Sequence, residues 1–151
     1  MYAFLVSLFC IQLFACEKSN DVEQFNPPND TTNTQAMKVK ITIGKKTFTA
    51  TLNNNTTGTA FKAMLPLTLN MSELNGNEKF FYFNNTLPTN ALPEGNIQAG
   101  NLMLYSNNCL VLFYESLNTS YSYSKVGRID NPSELAVALG SGNVMVTFEA
   151  N

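Results

Sequence analysis

The chain has 151 residues, enough on size for one domain with little to spare. A formal net charge of -2, with only 13% charged residues, supplies no basic patch or stripe and argues against nucleic-acid binding. Histidine is absent and cysteine occurs three times, so neither a His-activated nucleophile nor a Cys/His metal centre is expected.

Residues Tyr2 to Ala15 are apolar apart from Ser7 and Gln12, and they end at Leu13-Phe14-Ala15-Cys16. The run falls short of the about 20 apolar residues that cross a bilayer, but it has the length of a signal-peptide core. A small residue followed by Cys resembles the bacterial lipobox. Residues 1–15 are therefore expected to be a lipoprotein leader, with Cys16 the lipidation site and the bacterial cell envelope the address. The stretch from Glu17 to Ala36 holds two adjacent prolines and few apolar residues, which reads as a flexible linker over residues 16–36. Within it, Asp30-Thr31-Thr32 resembles the short O-glycosylation motif of exported Bacteroidetes proteins. Cys10 leaves with the leader and Cys16 takes lipid, so Cys109 is left alone in an apolar run, a small core residue without a disulfide.

The folded domain is expected over residues 37–151. Val39, Ile41 and Ile43 alternate with polar residues, and Phe48, Ala50 and Leu52 repeat the pattern after Gly44-Lys45, giving a hairpin. Ala60, Phe61, Met64 and Leu65 have helical spacing, and Pro66 stops that helix. Strands are expected at 67–72 and 79–83 around the turn Asn75-Gly76-Asn77, then a long loop from Thr86 to Gly100. Leu102 to Tyr105 and Leu110 to Tyr114 form a second hairpin around Ser106-Asn107-Asn108. Its second arm is apolar on both faces and should be covered. Residues 120–129 make another strand. A second helix should be capped by Asn131, with Pro132 in its first turn, Glu134 completing a capping box and Gly140 ending it. Val144, Val146 and Phe148 mark the last strand. Eight short strands and two helices suggest a mainly β fold, a closed barrel capped by the two short helices.

Four strings occur in this order in the minimal cyclophilin-like proteins of bacteria, which the chain resembles: LPLTLNMSELNGNEK (65–79), GNLMLYSNNCLVLFY (100–114), SYSYSKVGRI (120–129) and GSGNVMVTFE (140–149). The resemblance implies a closed eight-stranded cyclophilin-like barrel. Function transfers less well. Cyclophilins isomerise X-Pro bonds with an Arg beside an apolar groove, in a segment of FHR type. This chain has no such segment, and its one Arg, Arg128, stands late, in Gly127-Arg128-Ile129. Where relatives of this branch carry His and Asp in the loop before the strand that opens the second string, it has Gln98 and Asn101.

Candidate ligand-binding residues are Glu78 and Lys79 beside the Asn-Gly-Asn turn, the tyrosines Tyr105, Tyr114, Tyr121 and Tyr123, and Arg128. Phe81 and Phe83 are candidates to share an aromatic groove with those tyrosines, of which Tyr121 and Tyr123 are expected to be the most exposed. Glu73 reads as one half of a solvated ion pair. No catalytic residue is assigned. No cofactor is expected either, since Gly140-Ser141-Gly142 precedes a strand and not a helix. The expected function is a membrane-tethered, monomeric, non-catalytic module that binds a peptide or small molecule. The superfamily implies a peptidyl-prolyl isomerase as the alternative, and neighbours of this branch imply an accessory to a flavodoxin-like redox partner.

Overall fold

The computed structural model describes residues 36–151. The leader, Cys16 and the linker up to residue 35 lie outside the described residues.

Alternation of apolar and polar residues sets the first hairpin, β1 (Met37–Ile43) and β2 (Lys46–Leu52), in register from Met37↔Leu52 to Ile43↔Lys46. Asn55 then caps α1 (Thr56–Ala63), its side chain accepting from the Gly58 N–H at 2.7 Å. A Cβ at Gly58 would lie 2.2 Å from the Asn53 carbonyl oxygen, so only glycine lets the helix start this close to the strand before it. Seven strands follow: β3 (Leu67–Leu74), β4 (Glu78–Tyr82), β5 (Leu92–Ile97), β6 (Asn101–Tyr105), β7 (Cys109–Phe113), β8 (Leu117–Ile129) and β9 (Val144–Ala150). The second helix, α2 (Leu135–Leu139), lies between the last two.

All strand pairs are antiparallel, in the order β2-β1-β9-β3-β4-β7-β6-β8, and β8 returns to β2 through Ala50↔Ile129, Thr51↔Arg128 and Leu52↔Gly127. That last pairing closes an eight-stranded barrel, whose interior is just wide enough for side chains to fill. Gly127 belongs to the seam because a Cβ there would sit 2.7 Å from the Thr51 carbonyl oxygen. Inward residues from alternate strand positions (Val39, Ile41, Leu69, Leu104, Leu112, Val146) are buried together with Leu135 and Leu139 of α2. Phe61 of α1 meets Phe148 edge to face, with ring centroids 5.5 Å apart.

Two sequence expectations need correction. The stretch read as loop contains a ninth strand, β5, which pairs outside the ring with the front half of β8, from Leu92↔Tyr123 to Ile97↔Leu117. Its sequence shows no alternation because only Ile97 is buried. Pro93 and Gly95 are tolerated at a sheet edge, where a register shift separates them. Glu134 does not complete a capping box. Its carboxylate pairs with Lys46, Asn131 accepts from the Ser133 N–H at 3.2 Å, and α2 is a single short turn.

Candidate functional site

The barrel carries a second, smaller apolar cluster on its outside. Strand β7 sends Leu110 and Leu112 inward and Cys109, Val111 and Phe113 outward. The ribbon formed by β5 and the first half of β8 covers that outer face, adding Ile97 and Leu117 to Met103, Tyr123 and the three β7 residues. Burial on both faces is why the β7 sequence is continuously apolar.

Between this ribbon and the hairpin of β3 and β4 lies a groove of about 460 Å³. Phe80, Cys109, Val111 and Tyr123 form its floor. Leu74, Asn75 and Asn77 stand on the hairpin side, with residues 118–121 opposite. Tyr82, Cys109 and Tyr105 lie side by side across β4, β7 and β6, and Tyr123 of β8 stands opposite Tyr105. Glu78 is four residues from Tyr82 along β4, which at about 3.3 Å per residue makes the groove on the order of 13 Å long. Its rings interlock: Tyr105 with Tyr121 at 5.9 Å and with Tyr123 at 5.6 Å, and Tyr123 with Phe113 at 5.6 Å.

Exposure separates these tyrosines. Tyr82 and Tyr121 are 58% and 61% exposed and Tyr105 is 40%, whereas Tyr123 is only 6% exposed. The expectation that Tyr123 is exposed is thereby corrected: the ring is clamped between Phe113 and Tyr105. Its hydroxyl is pushed up to about 12 by burial and by the nearby Glu78 charge.

Glu78 is the one carboxylate lining the groove. It makes no ion pair among the described residues, and burial, with the Glu73 charge behind it, raises its proton affinity above that of an ordinary glutamate. Burial also pushes the Cys109 thiol up, which keeps it protonated and poorly nucleophilic. No group of three or more potential metal ligands occurs among the described residues.

Lys79 and Tyr114 belong elsewhere. One step of strand parity turns Glu78, Phe80 and Tyr82 toward the groove and Lys79, Phe81 and Phe83 toward the barrel interior, so neither phenylalanine lines the groove. The Lys79 ammonium is fully buried. It donates to the Glu73 carboxylate and to the carbonyls of Gly140 and Gly142, both at 2.7 Å, and lies 5.4 Å from the Tyr114 ring. Tyr114 donates to the same carboxylate at 2.9 Å, and its hydroxyl is pushed up to about 12 by burial and by Glu73. The Lys79 half of the ion pair is thus internal, and the Glu73 half is only partly exposed, not solvated as its sequence position suggested. The pair pins the segment after α2 to β4.

Arg128 is exposed at the closure seam, opposite Thr51 and Asn101, and does not line the groove. A second cleft, of about 380 Å³, lies between β2 and the segment from Asp130 to Glu134 that leads into α2. Its charged groups are already engaged, Lys46 with Glu134 and Asp130 with Lys38 and Thr51, so the groove is the better candidate. Sequence reasoning missed Phe80, Tyr82 and Asn77 there. The parity of Glu78, Phe80 and Tyr82 on one strand was the available signal.

The closed antiparallel barrel with two short helices defines a class. The chain belongs to the cyclophilin-like family, whose model matches residues 41–149. No curated protein matches the chain.

Proposed function

We propose that this domain is a binding module that holds a peptide or small ligand in the outer groove without isomerising it. The observation that carries the reading is the Glu78 carboxyl, without an ion-pair partner among the described residues, set among four groove tyrosines in a concave surface of aromatic rings and amide and hydroxyl side chains. Isomerising an X-Pro bond means lowering a barrier of about 18–20 kcal/mol, which calls for a donor poised at the prolyl nitrogen. Arg128, the one arginine, pairs opposite Thr51 at the closure seam and does not line the groove. Negligible turnover is expected in a protease-coupled assay with an Ala-Pro peptide. Robust catalysis that disappears in Arg128→Ala would make the domain an enzyme instead.

The same reading places the domain outside the cytoplasm on a lipid anchor, supported by Leu13-Phe14-Ala15-Cys16 and the polar stretch after it. In a bacterial host the protein should take up radioactive palmitate, and Cys16→Ser should abolish the label. Label retained in that variant would contradict the anchor.

A further inference from the structure

We propose that the groove's occupant is an extended peptide that adds as a strand along the edge of β8 and seats a lysine or arginine side chain against Glu78. This rests on the groove being the binding site, and two independent observations carry it beyond that.

The first is which atoms of β8 face the groove. Residues 117 to 121 of β8 line the groove and no residue of β5 does, so the groove runs along the edge of β8 that faces away from β5. Between Leu117 and Ser122 its one strand partner among the described residues is β5, with Ser120 and Tyr121 left out of register by a bulge; β6 takes up pairing at Tyr123 and beyond. The opposite edge offers backbone donors and acceptors to whatever enters. Unpaired edges of this kind are where extended peptides dock by strand addition, backbone bonds supplying affinity and side-chain pockets specificity. The groove's length, on the order of 13 Å, accommodates about four extended residues.

The second is charge. No lysine or arginine lines the groove among the described residues, whereas Glu78 and the tyrosine rings do. Lys79, adjacent in sequence, spends its charge on Glu73 inside the barrel. A cationic side chain on the incoming strand would pair with the groove's one carboxylate, and its stem would lie along tyrosine faces that favour cations. A peptide with an acidic residue at that position would meet repulsion.

The test is calorimetric titration of the full chain with a capped pentapeptide of valine and threonine bearing one central lysine, its glutamate counterpart, a backbone N-methylated lysine version, and n-butylamine. Tyrosine emission serves as a second readout, since four of the five described tyrosines line the groove. The lysine peptide should bind at least tenfold more tightly than the glutamate peptide, a difference of about 1.4 kcal/mol. Glu78→Gln, which removes charge but no contact partner, should erase that difference and leave residual binding. N-methylation should weaken binding at least tenfold. Equal affinity for both charges would overturn the basic preference. Undiminished binding of the methylated peptide, or n-butylamine binding as tightly as the peptide, would overturn strand addition. If the lysine peptide fails while a neutral proline peptide still changes tyrosine emission, the inference falls and the groove reading stands; if neither is bound, both fall.

Discussion

Val146→Asp is expected to leave the domain unfolded at room temperature. Val146 is fully buried at the centre of β9, opposite Ile43 on one side and Leu69 on the other, and its side chain points into the barrel. An aspartate there must either stay charged without a partner or take up a proton, and each route costs several kcal/mol. Net stabilities of single domains are only about 5–15 kcal/mol, and the lost valine packing adds to the charge penalty. The neighbouring Met145 faces outward and is 52% exposed, so Met145→Asp should change stability by no more than about 0.5 kcal/mol. Circular dichroism and thermal melting of both variants separate the cases. A cooperative melt near the wild-type temperature for Val146→Asp would mean that β9 is not in the register described.

Glu73→Gln should cost about 2–4 kcal/mol, the second-largest effect expected of a single substitution. Removing one partner of a buried ion pair leaves the other charge uncompensated, which typically costs about 3–5 kcal/mol. The lower figure applies here because Glu73 is 21% exposed and Lys79 keeps the Gly140 and Gly142 carbonyls. Replacing both partners, as Glu73→Gln with Lys79→Met, should recover part of the loss, since the stranded ammonium is then gone. Burial alone would raise the Glu73 carboxyl. Hydrogen bonds from Lys79, Tyr114 and the Gly76 N–H outweigh it and hold the group below an ordinary glutamate. A depressed carboxyl contributes stability that is present above the unfolded value of about 4.3 and is lost as pH falls through the folded one. Urea unfolding across that window should therefore show a wild-type loss on acidification that Glu73→Gln reduces. A double variant no more stable than the single one would show that the stranded charge is not what costs stability.

Sequence alone makes the barrel legible where one face is wet. Val39, Ile41 and Ile43 against Lys38, Lys40 and Thr42 specify β1 and its register by period-two alternation, because a one-residue slip would expose the entire inward set. The apolar β7 likewise announces two covered faces, though not what covers them. The cover, β5, is illegible for a physical reason. Leu92 to Ile97 buries little of its own surface and owes its conformation to pairing with β8. Propensity and pattern carry no record of such a partner. Because the front of β8 that makes one wall is held in place by pairing with β5, the groove cannot be drawn from sequence, although Glu78, Tyr105, Tyr121 and Tyr123 are among its candidates. Lys79 went to the wrong side of the sheet because lysines are seldom fully buried. Parity with Phe81 and Phe83 outweighs that tendency once Glu73 and two carbonyls neutralise the ammonium.

The most direct test of groove binding is a titration of the nitrogen-15-labelled chain with a capped, neutral, proline-containing tetrapeptide, followed through backbone amide shifts. Groove binding predicts shifts confined to Glu78–Tyr82, residues 105–111 and residues 117–123, with Lys46 to Thr49 and Asp130 to Glu134 unmoved. Shifts concentrated at the cleft between β2 and the segment before α2, with the groove strands silent, would contradict it.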